Sequence, residues 1–206
     1  MSKRQKITSP KLPVVGYANI SKADTKFDAG GVFKFTLAVD PDDAEGQKFV
    51  ESIQSAYDEH YKASLKEAGK KKMKQVIPIS AEEDEEGEET GRTLVSFKLK
   101  NNVETKAGKT FTQEITIFDN STKAPLTGEN RPNVGSGSVV QASAEVNTWV
   151  SALGVGMTLW PKALMVHQLV EYGGSADAEE YGFDTSSQED AAEEFATTDG
   201  DCGTDY

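Results

Sequence analysis

Residues 31–39 read GVFKFTLAV, and apolar and polar side chains alternate along them. This period of two is typical of a strand that buries one face and exposes the other. The inward face is predicted to carry Phe33, Phe35, Leu37 and Val39, and the outward face Lys34, Thr36 and Ala38. Pro41 follows closely and ends the strand. The segment therefore predicts one wall of a β-sheet core.

The same alternation recurs at three places further along the chain. The predicted inward residues are Val95, Phe97 and Leu99, then Phe111, Ile115 and Ile117, then Val140, Ala142, Ala144 and Val146. Residues 12–20 add a short apolar strand, and residues 153–172 add one or two more. We expect antiparallel pairing, because strands with one polar face occur mostly in antiparallel sheets.

A single amphipathic helix is predicted after the first alternating strand. Asp42 can cap it, with Glu45 three residues later, and Gly69 can end it. Its apolar residues recur every three or four positions, and they are Val50, Ile53, Tyr57, Tyr61 and Leu65. Such a stripe predicts a helix that lies against the sheet or closes one end of a barrel.

Three connections separate these elements. Residues 82–89 are almost all acidic, so we expect a long exposed loop there. Residues 101–109 fit a hairpin connection, and residues 120–137 fit a longer loop rich in Asn, Pro and Gly. Five to seven strands with one inserted helix predict a small Greek-key barrel.

The net charge of −12 is unevenly distributed. Residues 174–206 hold 11 acidic residues and no Lys or Arg, whereas the rest of the chain holds 22 basic and 23 acidic residues. We therefore expect a domain over residues 1–173 and a disordered acidic tail over 174–206. The tail either contacts partners or only keeps the protein in solution. No membrane span or secretory leader is expected, and the single cysteine, Cys202, fits a reducing cytoplasm.

Basic side chains and one tryptophan are predicted on the polar faces of the strands. The candidate binding residues are Lys34, Lys98, Lys100, Lys106, Lys109 and Trp149, with Phe33 and Phe35 added although their alternation favours burial. Lysines that follow phosphates and rings that stack on bases suit single-stranded nucleic acid. Motifs of nucleotide hydrolases, zinc proteases and serine hydrolases are missing, so no enzyme, cofactor or metal is expected.

The ordered set of segments resembles the single-stranded DNA-binding proteins of T-seven-like bacteriophage replisomes. The resemblance rests on residues 31–37, 47–61, 97–98, 115–119, 149–154 and 165–174, followed by an acidic tail with a terminal aromatic residue. It implies an oligonucleotide-binding (OB) fold, a five-stranded Greek-key barrel with one inserted helix. It also implies sequence-independent binding that coats and protects single-stranded DNA in replication, recombination and annealing.

The resemblance further implies partners and their contact residues. Trp149 matches a strand segment near the DNA groove, and Lys106 and Lys109 match a basic hairpin. Homodimers are implied in the host cytoplasm, with tails that contact the phage DNA polymerase and helicase-primase. Independently of the resemblance, the charge of the tethered tail predicts that it competes with DNA for the groove. The tail residues concerned are Asp199, Asp201, Asp205 and Tyr206. The alternative from charge alone is an acidic adaptor or an inhibitor that mimics DNA.

Overall fold

A computed structural model describes residues 4–105 and 108–171. This part of the chain forms mostly strands, with one long helix, α1 (Ala44–Ala68), and a 3-10 turn, Gly128–Asn130. The first six strands are β1 (Lys6–Thr8), β2 (Leu12–Asp24), β3 (Val32–Val39), β4 (Gln75–Val76), β5 (Ile79–Glu83) and β6 (Glu89–Lys100). The others are β7 (Asn102–Glu104), β8 (Thr110–Thr112), β9 (Thr116–Asp119), β10 (Pro125–Leu126), β11 (Val139–Ser151) and β12 (Gly154–Gln168).

Five strands close into a barrel. β2, β3 and β6 pair antiparallel in that order, and β11 pairs antiparallel with β12. Two contacts close the ring: β6 meets β12 in parallel at Phe97 and Leu159, and β11 meets β2 at Val140 and Leu12. The spatial order β2-β3-β6-β12-β11 is that of a five-stranded Greek-key barrel, as predicted. The antiparallel expectation was wrong for three pairs, since β4, β6 and β9 each run parallel to β12.

The barrel core is built from the inward faces that alternation predicted. Phe35 and Phe97 are opposite each other on β3 and β6, and their rings stack with centroids 4.8 Å apart. Both side chains are fully buried, as are Leu37 and Val95 beside them. Ala38 was predicted outward and is also fully buried. Its partner on β6, Leu94, is half-buried. The outer face of the sheet is therefore covered at this end of β3 and β6.

Helix α1 lies between β3 and β4 in the chain and packs on the β11–β12 end of the barrel. Asp43, not the predicted Asp42, is its cap, because the Asp43 carboxylate accepts hydrogen bonds from the backbone N–H groups of Glu45 and Gly46. Gly69 ends the helix in the left-handed conformation, as predicted. The buried face is centred on Phe49, Ile53 and Tyr57.

The acidic segment 82–89 is a hairpin between β5 and β6, and the prediction of a long loop was wrong. Glu83 pairs with Glu89, and Asp84 closes the turn by accepting N–H bonds from Glu86 and Glu88, both 2.9 Å. Of the one or two strands predicted around Pro161, the structure has a single one, β12 (Gly154–Gln168), which continues past Pro161 through a bulge opposite Ser143 and Ala144. Within the described residues, no helix is long and apolar enough to cross a membrane.

Candidate nucleic-acid interface

The outer face of β2, β3 and β6 carries a cleft of about 450 Å³, which we call the Lys34 cleft; its charged lining residues are Lys34, Lys98, Asp24 and Asp28. Asn19, Lys34 and Lys98 lie side by side on the three strands, because the registers pair Asn19 with Lys34 and Lys34 with Lys98. In the part of the chain that the structure describes, neither lysine is in an ion pair. Their charges are therefore available to an anionic ligand.

Two aromatic rings stand beside these lysines. Phe27, in the β2–β3 turn, is 88% exposed, and Tyr17, on β2, is 67% exposed. Both line the Lys34 cleft, and the Lys26 ammonium lies 5.4 Å from the centre of the Phe27 ring. An exposed ring next to a cation can stack on a base while the cation meets a phosphate.

A second cleft, of about 470 Å³, lies around Trp160 on β12, and we call it the Trp160 cleft. The Arg4 guanidinium lies 4.6 Å from the centre of the Trp160 ring, and the Lys162 ammonium lies 5.9 Å from it. Glu145 partly offsets these charges, at 3.8 Å from Arg4 and 3.9 Å from Lys162. The apolar walls are Leu99, Val103 and Phe111.

Hairpin β7–β8 forms one wall of the Trp160 cleft. It is attached to the β2–β3 turn by backbone bonds of 2.9 Å from Asn101 to Gly31 and from Asn102 to Gly30. Gln113 links it to β12, because its side-chain oxygen accepts a 3.2 Å bond from Lys162. These bonds hold the 46%-exposed Phe111 ring at the cleft, so the prediction that Phe111 faces the core was wrong.

The two clefts adjoin at Lys100. This lysine lines the Trp160 cleft, and its ammonium lies 3.6 Å from Asp28, which lines the Lys34 cleft. Lys98 and Lys100 also project from the same face of β6, two residues apart. A flexible chain could therefore pass from one cleft to the other over Lys98 and Lys100, with the Asp28 carboxylate beside Lys100.

Apart from Trp149, the predicted binding and tail residues fall into three groups. Lys34, Lys98 and Lys100 line the clefts, and Lys109 is exposed at the end of hairpin β7–β8. Phe33 and Phe35 are 3% and 0% exposed, so the expectation that they contact DNA is corrected: their rings form the barrel core. Lys106, and Asp199, Asp201, Asp205 and Tyr206 in the predicted tail, lie outside the described residues.

Trp149 lies on the polar face of β11, as alternation predicted, but lines neither cleft. Its ring covers Gly156 on β12 so closely that a Cβ at Gly156 would be 2.1 Å from it. Its indole N–H donates a 3.1 Å bond to Thr158. Part of the ring is thus engaged within the barrel wall.

Sequence reasoning missed Trp160, Lys162, Tyr17 and Phe27, whereas Arg4 belongs to a basic N-terminal arm that the sequence offers either as a DNA contact or as a frayed end. Alternation along β12 could have identified Trp160 and Lys162. Val155, Met157 and Leu159 point inward, so Trp160 points outward. Lys162 is the unpaired residue of the bulge, between Pro161 and Ala163. Tyr17 and Phe27 had no comparable pattern, since Tyr17 lies where the register of β2 shifts between Val15 and Asn19, and Phe27 lies in the β2–β3 turn.

Comparison with known families and structures adds independent information. A sequence model of the family described as "Single-stranded DNA-binding protein, Bacteriophage T7" matches residues 13–169, well over half of the chain. The chain belongs to this family. The resemblance noted in the sequence is therefore confirmed. A search of curated proteins found no match.

Solved structures of phage single-stranded DNA-binding proteins share this fold. The crystal structure of gp2.5, encoded by bacteriophage T7, is 22% identical, with a TM-score of 0.67 over 89% of this chain and 97% of that one. A protein from bacteriophage Enc34, solved in complex with single-stranded DNA, is 12% identical, with a TM-score of 0.57 over 82% and 89%. The OB fold predicted for this family member is confirmed.

Proposed function

We propose that this family member binds single-stranded DNA without sequence preference, in a path that runs over the Lys34 and Trp160 clefts. The observation that supports this path is the continuity of cations and accessible rings across β6. Phosphates would follow Lys34, Lys98, Lys100 and Lys162, and bases would stack on Phe27 and Trp160. Every base has an aromatic face, so such contacts do not select a sequence.

Binding to oligo(dT) of about 35 nucleotides, titrated beside a duplex of equal length, tests this function. We expect preference for the single strand and a slope of log K against log salt of roughly −3, since the four lysines of the path would each release about 0.7 counterion. Oligonucleotides of mixed sequence should bind within a few-fold of oligo(dT). Salt-independent binding, or none, would reject the proposed path.

The biological role follows from this activity and from the family resemblance. The protein coats and protects single-stranded DNA during phage DNA replication, recombination and annealing. It acts as a homodimer in the host cytoplasm and catalyses no reaction itself. The acidic residues 174–206 contact the phage DNA polymerase and helicase-primase, with the Tyr206 ring as an aromatic anchor and Asp199, Asp201 and Asp205 as acidic contacts.

The acidic tail also competes with DNA for the clefts. Its 11 acidic residues have no basic residue among them, and the covalent link keeps their local concentration high. A chain that ends at Gly173 should therefore bind oligo(dT) more tightly at low salt, and the gain should shrink as salt screens the tail. Gel shifts over a salt series measure this. Equal affinities of the full and shortened chains at every salt concentration would disprove the competition.

A further inference from the structure

The acidic hairpin β5–β6 is a fixed feature that the proposed function does not use. Seven carboxylates lie on it: Glu82, Glu83, Asp84, Glu85, Glu86, Glu88 and Glu89. Strand pairing of Ala81 with Thr93 and of Glu83 with Glu89 holds both arms, and Asp84 closes the turn. The charge is therefore held in one place relative to β6, which a solvated loop would not do.

One end of this hairpin borders the proposed DNA path. Glu82 and Glu83 line a cleft of about 380 Å³ together with Lys34, Thr36 and Tyr17. Lys34 and Tyr17 also line the Lys34 cleft, so carboxylates and phosphate-binding lysines share one continuous surface. The hairpin thus marks the side of the Lys34 cleft that faces away from Trp160.

Arg92 fixes the position of the Glu82 carboxylate. Its guanidinium lies 3.2 Å from the Glu82 carboxylate and 3.0 Å from that of Asp40, so it spans from β5 to the end of β3. Thr90 donates a 2.8 Å bond to Glu82 as well. Because Arg92 is shared by two carboxylates, it offsets little of the charge of the seven hairpin carboxylates, and the hairpin stays strongly negative. Glu83 forms no ion pair within the described residues.

We propose that the acidic hairpin selects single-stranded over double-stranded DNA by repelling the second strand of a duplex. This inference rests on the proposed path over the Lys34 cleft. A single strand is flexible and can keep its one row of phosphates on the lysines. A duplex is stiff and carries one charge per about 1.7 Å of axis, so its second row of phosphates meets the carboxylates. Like charges placed together discriminate against the wrong ligand.

Affinities of the full-length protein for oligo(dT) and for duplex, at low and moderate salt, test the proposal. The variant Glu83→Gln removes a carboxylate that has no ion pair to lose, and Glu82→Gln/Glu83→Gln removes both. The matched control is Glu85→Gln/Glu86→Gln at the exposed turn, away from the cleft lining. We expect duplex affinity to rise about tenfold in the double variant and to rise as well in Glu83→Gln. Oligo(dT) affinity should rise by about threefold at most. The control variant should leave the ratio of duplex to oligo(dT) affinity unchanged.

Two results overturn the proposal, and a Lys34→Ala arm separates it from the proposed function. An unchanged ratio of duplex to single-strand affinity in both cleft variants would reject selection by the hairpin. If the ratio changes equally in the Glu85→Gln/Glu86→Gln control, the effect comes from the overall charge of the protein, and selection by the cleft carboxylates is rejected as well. If Lys34→Ala weakens oligo(dT) binding, but the ratio of duplex to single-strand affinity is unchanged in the Glu82 and Glu83 variants, the hairpin inference alone fails. If Lys34→Ala leaves oligo(dT) binding unchanged, the proposed path itself is wrong.

Discussion

Substitution of Trp160 by alanine should weaken the binding of single-stranded DNA by roughly 5- to 150-fold, the range expected for loss of one base–aromatic stack. Trp160 is the largest ring in either cleft, and Arg4 and Lys162 lie within 6 Å of its centre. The substitution removes a stacking surface and the ring that positions the Arg4 guanidinium. Equilibrium titration with labelled oligo(dT) measures the loss.

Intrinsic fluorescence assigns the contact, because the chain has only two tryptophans. Trp160→Phe leaves Trp149 as the sole reporter, and Trp149→Phe leaves Trp160. We expect DNA to quench the protein that retains Trp160 strongly and the protein that retains Trp149 weakly. The sequence favoured Trp149 as the platform. Strong quenching of Trp149 together with unchanged affinity in Trp160→Ala would restore that assignment and remove the Trp160 cleft from the path.

Phe35→Ala should lower the free energy of unfolding by roughly 3–5 kcal/mol, which is the usual cost of deleting a buried phenylalanine ring. The Phe35 side chain is 0% exposed and stacks on Phe97 at 4.8 Å, so its loss leaves a cavity between β3 and β6. Denaturant unfolding followed by circular dichroism provides the value.

Phe27→Ala is the matched control, since the same side chain is deleted at a position that is 88% exposed. We expect its stability to change by less than about 0.5 kcal/mol, whereas its affinity for oligo(dT) should fall. This pair separates the structural phenylalanine from the one that can meet a base. Near-native stability of Phe35→Ala, or a stability loss in Phe27→Ala as large as that in Phe35→Ala, would contradict the assignment of the two rings.

Much of the fold followed from short-range patterns. Alternation identified the inward residues of β3, of the second half of β6 and of β11, because successive side chains of a strand point to opposite sides. Helix α1 and its end at Gly69 were also predictable, since both the apolar stripe and the glycine stop are local signals. The error of one residue at the cap, Asp43 for Asp42, reflects two adjacent carboxylates that are equally good caps in sequence.

The errors arose where distant segments meet. Phe111 is apolar at an inward-looking position, yet its strand leaves the barrel as part of hairpin β7–β8. Ala38 has an outward parity but is covered, because β5 and β6 extend beyond the barrel at that end. The acidic segment lacks apolar residues, and its strand arms form through backbone pairing and the Asp84 turn, which composition does not reveal.

The sequence by itself determined which side of each strand its residues occupy, where the helix lies, and that basic residues gather on polar faces. Only the tertiary structure decided which of those residues share a surface. Phe97 and Leu159 are 62 positions apart, and their pairing is what brings Trp160 and Lys162 to the edge of Lys98 and Lys100. The reason is physical: the direction of a side chain depends on local backbone geometry, whereas its neighbour across a strand depends on long-range register and barrel closure.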